Sequence, residues 1–270
     1  MKPLTNTRLA SKAMGDDVSL TRYVRIGRGA THTASRGRSP RLLAEGLAPQ
    51  YVVDGRTKFP TRVMPVADMT TLLVSGHSNV KIGRDVRKGR LKGYWIYTLS
   101  LEERATCPSS CQHWQSCYGN NMPFAKRIIH TDPDFLPRLE AEIADLCAKK
   151  PGVLIRLHAL GDFYSELYVA FWDRMLGKHR NLSIFGYTAR SWYDDPIGQA
   201  LLYLRIAHAE RFMIRTSGGG EEFLSTVNIT AVEDCPTDAF VCPEQTGKTR
   251  CCATCGACWS TKKNVAFLAH

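Results

Sequence analysis

The sequence predicts an α/β protein: a partial or complete (β/α) barrel of parallel strands, with a basic N-terminal arm and a Cys-rich C-terminal metal-binding segment. Three observations predict it. Short apolar runs alternate with amphipathic stretches of helical period between residues 94 and 215, which is how strand-helix units of a parallel sheet read in sequence. Three cysteines, Cys107, Cys111 and Cys117, crowd the loop after the first of those runs. A second cysteine group lies near the C-terminus, from Cys235 to Cys258.

With 270 residues, 44% of them hydrophobic, the chain suffices for one large domain with appendages. We divide it into an arm (1–60), a core (61–234) and a Cys-rich segment (235–270). The first 20 residues lack the apolar stretch of a signal peptide, and no run approaches the roughly 18 apolar residues of a membrane span. A cytoplasmic location and no membrane partner are therefore expected. Thiols stay reduced there, so ten cysteines point to metal rather than to a disulfide framework.

Charge is uneven. Residues 1–100 hold 18 Lys and Arg against 6 Asp and Glu, whereas the remainder holds 18 against 19. Arg22, Arg25, Arg28, Arg36, Arg38 and Arg41 are interspersed with Gly and Ser in the manner of a mobile arm. Such a segment favours nucleic acid through counterion release, or is a solvated tail.

Taken in order, residues 94–99 read as a strand. Pro137 can open a helix with Leu139, Ile143, Leu146 and Cys147 at helical spacing; Cys147 reads there as a small core residue. Residues 153–157 form an apolar run interrupted by Arg156. Ser165 can cap a helix burying Leu167, Tyr168, Phe171 and Met175. Residues 182–187 read as a strand. Asp195 followed by Pro196 starts a helix with Ile197, Ala200, Leu201, Leu204 and Ala207 on one face. Strands follow at 212–215 and, more weakly, at 226–230 and 239–241. Ligands of such sheets bind beyond the carboxyl ends of the strands, and there lie the three-cysteine loop, residues 158–162, 188–190 and 216–220.

The first group has the spacing C-x3-C-x5-C. A thiol must ionise to bind metal, and Arg104, His113, Lys126 and Arg127 nearby favour the thiolates. Three thiolates leave a fourth position vacant or open to His113, His130 or an exogenous group, so an iron-sulfur cluster and a Cys3His zinc site both fit, with the cluster preferred. In the second group Cys252, Cys255 and Cys258 follow C-x2-C-x2-C, the spacing that wraps a 4Fe-4S cluster, and Cys242 can complete the set. Zinc suits Cys-x2-Cys-Gly equally. Cys251 competes with Cys252 as ligand.

A cysteine trio after the first strand and Gly161-Asp162 at the end of the next resemble the layout of radical S-adenosylmethionine enzymes. That resemblance implies Cys107, Cys111 and Cys117 as ligands of a 4Fe-4S cluster whose open iron chelates S-adenosylmethionine and whose reduction yields a 5'-deoxyadenosyl radical. It implies Gly161 and Asp162 at the methionine amino group, Thr188, Arg190 and Ser217 at sugar and carboxylate, and a reductant such as flavodoxin or ferredoxin. The second gap here is five residues and Tyr118 follows the last cysteine, unlike the superfamily's C-x3-C-x2-C with a preceding aromatic. Segments 106–127, 158–165 and 242–259 more closely resemble the phage and bacterial proteins grouped as "gene product eighty-eight" like.

Other signals have plainer readings. Gly161-Asp162 also suits a strand-to-helix turn. Asp162 and His158 are the acid-base candidates, although His158 on a strand also suits a satisfied core position. Gly247-Lys248-Thr249 lacks the preceding glycine of a phosphate loop, since Cys242 stands there. Tyr97, Trp114, Tyr118 and Trp259 can stack bases or shield a cluster. The reading is an iron-sulfur, radical enzyme acting on a nucleic acid or other macromolecule. The alternative is a non-catalytic zinc or iron-sulfur nucleic-acid-binding protein of phage or mobile-element origin.

Overall fold

The structure, a computed structural model, describes residues 5–7, 20–26, 30–36, 55–218 and 224–268. Four parallel strands form its centre: β1 (Trp95–Ser100), β2 (Val153–Leu160), β3 (Leu182–Thr188) and β4 (Phe212–Thr216). They lie in chain order across the sheet, and a short antiparallel strand, Val74–Ser75, borders β1. Between them run α1 (Phe135–Lys149), α2 (Glu166–Lys178) and α3 (Pro196–Ala207). Crossovers of one hand between successive neighbours put all three helices on one face. That face holds the main core, where Leu99, Ile155, Ile184 and Ile214 meet Leu139, Ile143, Phe171 and Leu201.

The period-2 alternation of the strands turns Ile96, Leu154, Phe185 and Met213 to the other face. Among the described residues no long helix covers them; Ala253 and Trp259 of the C-terminal segment do. Of the partial or complete barrel expected, the complete one is not formed. Four parallel strands with three helices between them are too few, since closing such a barrel takes about eight strands, and the later strands pair elsewhere. They are β5 (Thr226–Ile229), β6 (Ala239–Val241) and β7 (Asn264–Leu268), with β7 between the other two and parallel to both. β7 follows the cysteines directly and had no signal of its own beyond a five-residue run.

Helix starts follow their caps. The Ser165 hydroxyl accepts the Tyr168 N–H at 3.1 Å, and Asp195 Oδ1 accepts the N–H groups of Ile197 and Gly198 at 2.8 and 3.2 Å. α1 begins two residues before Pro137, which occupies its first turn. Leu167 is a correction: it is 81% exposed, and Trp172 and Leu176 fill the interior instead. Ala207 is likewise exposed. Residues 5–7, 20–26 and 30–36 form a separate antiparallel sheet; Arg22, Arg25 and Arg36 fall on its strands, whereas Arg28, Arg38 and Arg41 lie outside the described residues. No helix among the described residues is long and apolar enough to cross a membrane.

Candidate metal centres

The three-cysteine loop leaves β1 through Glu102, Glu103 and Arg104, all buried. Each is consumed within the protein. Arg56 donates to Glu102 at 2.7 Å. Glu103 pairs with Arg127 at 2.6 Å, both side chains essentially inaccessible, and accepts the Thr57 hydroxyl at 2.6 Å. Arg127 spends its other N–H groups on the carbonyls of Gly119, Met122 and Ala125 at 3.1, 3.2 and 2.6 Å. It therefore holds the far limb of the loop rather than acting on the sulfurs. Arg104, at φ +68, reaches inward to the Trp114 carbonyl at 3.0 Å and Asn120 Oδ1 at 2.7 Å.

Cys107, Cys111 and Cys117 share one electrostatic neighbourhood. Burial pushes all three thiols up, Cys117 to about 11; Asp162, Cys111 and Cys117 push Cys107 further. Against this, the Arg104 guanidinium lowers Cys111 and Cys117, and the backbone N–H groups of Arg104, His113 and Gly119 face the sulfurs of Cys107, Cys111 and Cys117 in turn. Such donors stabilise thiolate over thiol. The donor chemistry suits a thiolate-bound group. The sulfurs are neighbours without closing on one point: no three His, Cys, Asp or Glu side chains among the described residues converge as a single bound metal ion requires.

The strand-end residues meet beside this loop and are bonded chiefly to one another. Asp162 Oδ1 accepts the Phe163 N–H and the Thr188 hydroxyl at 2.7 and 2.8 Å, and Oδ2 accepts the Ala189 N–H at 2.7 Å. Burial nevertheless outweighs these bonds and raises its carboxyl to about 6. Ser217 donates its hydroxyl to the Thr188 carbonyl at 3.1 Å. Arg190 holds Asp195 at 2.7 Å, the Thr106 carbonyl at 3.3 Å and the Phe163 carbonyl. Gly161 sits at φ +84, where a Cβ would come within 2.7 Å of Thr106 Oγ1, so the loop and β2 pack at a separation only glycine allows. His158 instead lies in the core: its Nε2 faces the Tyr168 hydroxyl at 3.0 Å and its ring packs edge-on against Phe163. His113 bonds Asn228 at 2.6 Å and Ser116 at 3.3 Å through its two ring nitrogens, and His130 packs on Tyr164.

Behind the sheet, Cys242, Cys252, Cys255 and Cys258 line one narrow cleft. Cys251 does not: its sulfur lies over Gly83 and 3.7 Å from Thr254 Oγ1. Cys235 lies apart, its sulfur 3.6 Å from the Pro236 carbonyl, and Cys147 stays in the core as expected. The strands present a cationic floor to this cleft. The Tyr187 hydroxyl donates to Cys258 Sγ at 2.9 Å. The Arg156 guanidinium stacks 4.3 Å from the Tyr187 ring and has its Nε buried without a hydrogen-bond partner among the described residues. Arg215 donates to the Thr261 and Lys263 carbonyls at 2.6 and 2.8 Å. Burial raises the thiols of Cys252 and Cys258, while Arg156 lowers both and Tyr187 and Arg215 lower Cys258. Sequence reading missed Tyr187 and Arg215; their signal, like that of Arg156, is a polar side chain inside an apolar strand.

A family model described as Gene product 88 matches residues 71–223, a stretch that contains the first cysteine loop and β1 to β4 and ends before Cys242. The Gene 88 protein of Mycobacterium phage L5 is 28% identical over 149 residues, covering 49% of this chain and 62% of that protein. The Gene 88 protein of Mycobacterium phage D29 is 28% identical over 141 residues, covering 46% and 58%. The chain thus spans about three-fifths of the length of these relatives. No solved structure matches.

Proposed function

The chain belongs to the Gene product 88 family, and we propose that this member is an iron-sulfur protein with an open centre at the strand ends and a closed one behind the sheet. The single observation that carries this reading is the gathering of Cys107, Cys111 and Cys117 into one electrostatic neighbourhood, each with a backbone N–H facing its sulfur. Three thiolates leave one iron of a 4Fe-4S cluster for an outside ligand. Cys242, Cys252, Cys255 and Cys258 supply a full set of four, which suits a structural or auxiliary centre.

S-adenosylmethionine is the outside ligand we propose, because singly wound parallel strands with a cysteine loop after the first support a radical S-adenosylmethionine layout. Bound to a reduced cluster, it supplies a carbon radical. The chain's own residues then act by positioning. Asp162 ties the end of β2 to Thr188 and Ala189, Arg190 ties both to the cysteine loop, and Ser217 joins β4. With those side chains occupied, contacts to the ligand fall to main-chain groups at the same strand ends. The excess of positive charge in residues 1–100 supports a nucleic acid as substrate.

Anaerobic purification followed by iron, sulfide and zinc analysis tests the proposal. Iron and sulfide in equal amount are expected, with release of 5'-deoxyadenosine when the reduced protein meets S-adenosylmethionine. Colourless protein holding zinc alone would overturn it. The turn Cys252-Ala253-Thr254-Cys255-Gly256, with Gly256 at φ +72, favours a second reading in which zinc fills the closed centre of a non-catalytic nucleic-acid-binding protein. Zinc without iron would point there.

A further inference from the structure

A second concentration of positive charge lies among the described residues, apart from the N-terminal segment. Residues 84–93 fold into a hairpin closed by Val86 N–H to the Tyr94 carbonyl and Gly93 N–H to the Val86 carbonyl, both 2.9 Å. It carries six cations, Arg84, Arg87, Lys88, Arg90, Lys92 and, just before it, Lys81, against one carboxylate, Asp85. The hairpin is bonded to the Cys-rich segment, since Arg87 N–H donates to the Ala253 carbonyl at 2.9 Å and Cys252 N–H to the Lys81 carbonyl at 2.7 Å. That segment adds exposed Lys248, Arg250, Lys262 and Lys263. Asp85 serves Arg84 and Arg87, Glu210 serves Arg90, and Glu244 serves Lys81. Lys88, Lys92, Lys262 and Lys263 have no carboxylate partner among the described residues.

Between Lys88 and Lys262 opens a cavity of about 750 Å³. Its depth is apolar, formed by Leu91, Met213 and Trp259, with Leu202 and Ile206 of α3 as one wall. Cations at a rim above an apolar recess of ligand size match a chain of phosphates bearing flat, weakly polar groups. We propose that this surface binds single-stranded nucleic acid, its phosphates along Lys88, Arg90, Lys262 and Lys263 and one unstacked base in the recess. A duplex keeps its bases stacked inside and gains only the phosphate contacts. The inference deepens the nucleic-acid partner proposed above and rests on no metal.

The test is fluorescence anisotropy of the full chain with a labelled 20-mer of deoxythymidine, across a salt series, with iron measured on the same samples. Binding should weaken with salt. Replacing Lys88 and Lys262 by Ala should weaken it on the order of tenfold at low salt and flatten the log-log salt slope by about 1.4, twice the single-strand increment per phosphate contact. A duplex of equal length should bind several-fold more weakly. Equal affinity for the duplex, or unchanged binding by K88A/K262A while R25A/R28A in the arm abolishes it, overturns the proposal. Because both lysines are exposed and neither is among the proposed ligands, iron content should not move, which separates this failure from failure of the iron-sulfur reading.

Discussion

His158 is a titratable group held where it cannot ionise. Burial first, then the nearby Arg156 charge, lowers its imidazole from 6.5 to about 3. The folded protein therefore keeps it neutral, while the unfolded chain takes up a proton as pH falls below 6.5. Stability associated with this residue is present above 6.5 and is lost as pH falls towards 3, at up to about 1.4 kcal/mol per pH unit. His158→Gln should flatten the pH dependence of urea unfolding across that window, whatever it does to stability at neutral pH. An unchanged slope would mean that His158 is solvated. In the sequence this residue had two readings, cavity or core, and periodicity could not choose between them. The choice came from Tyr168, ten residues on, whose hydroxyl supplies the partner.

At the scale of elements, the cysteine loop is held less by its own sequence than by the buried Glu103–Arg127 pair. Removing one member of such a pair strands a charge away from water. Glu103→Ala should cost roughly 3–5 kcal/mol of unfolding free energy, whereas joint replacement by Leu and Met should cost much less. Equal losses in the single and double variants would show that the pair is solvated. The same reasoning explains a misassigned role. Arg127 looked like an electrostatic neighbour of the thiols because it follows them in sequence, yet its five N–H groups face Glu103 and three carbonyls. Arg104, thirteen residues from Cys117 on the other side, is the cation that lowers Cys111 and Cys117.

For the whole molecule, the singly wound sheet creates a need that the C-terminal segment meets. Parallel sheets are stable with both faces covered, and the three long helices among the described residues lie on one face. The other face depends on a segment with two four-residue helical turns, Cys252–Cys255 and Ala257–Ser260, which are too short to be stable by themselves. The closed metal centre proposed there would contribute folding energy. Cys255→Ala should accordingly lower the melting temperature and expose apolar surface to a reporter dye, while Cys111→Ala should lose the iron proposed at the first centre with little change in melting temperature. Equal destabilisation by the two substitutions would contradict this division.

By itself the sequence determined the alternation of strands and helices, their caps, the parallel sheet and the two cysteine groups, because each is encoded within a few residues by period, cap chemistry or spacing. Only the tertiary structure decided that the sheet stays open, that Leu167 faces water, that Cys252 rather than Cys251 lines the rear cleft, and that Tyr187, Arg156 and Arg215 form its floor. These depend on which surfaces meet across tens of residues, through close packing and the pairing of buried charge, and neither is written in local pattern.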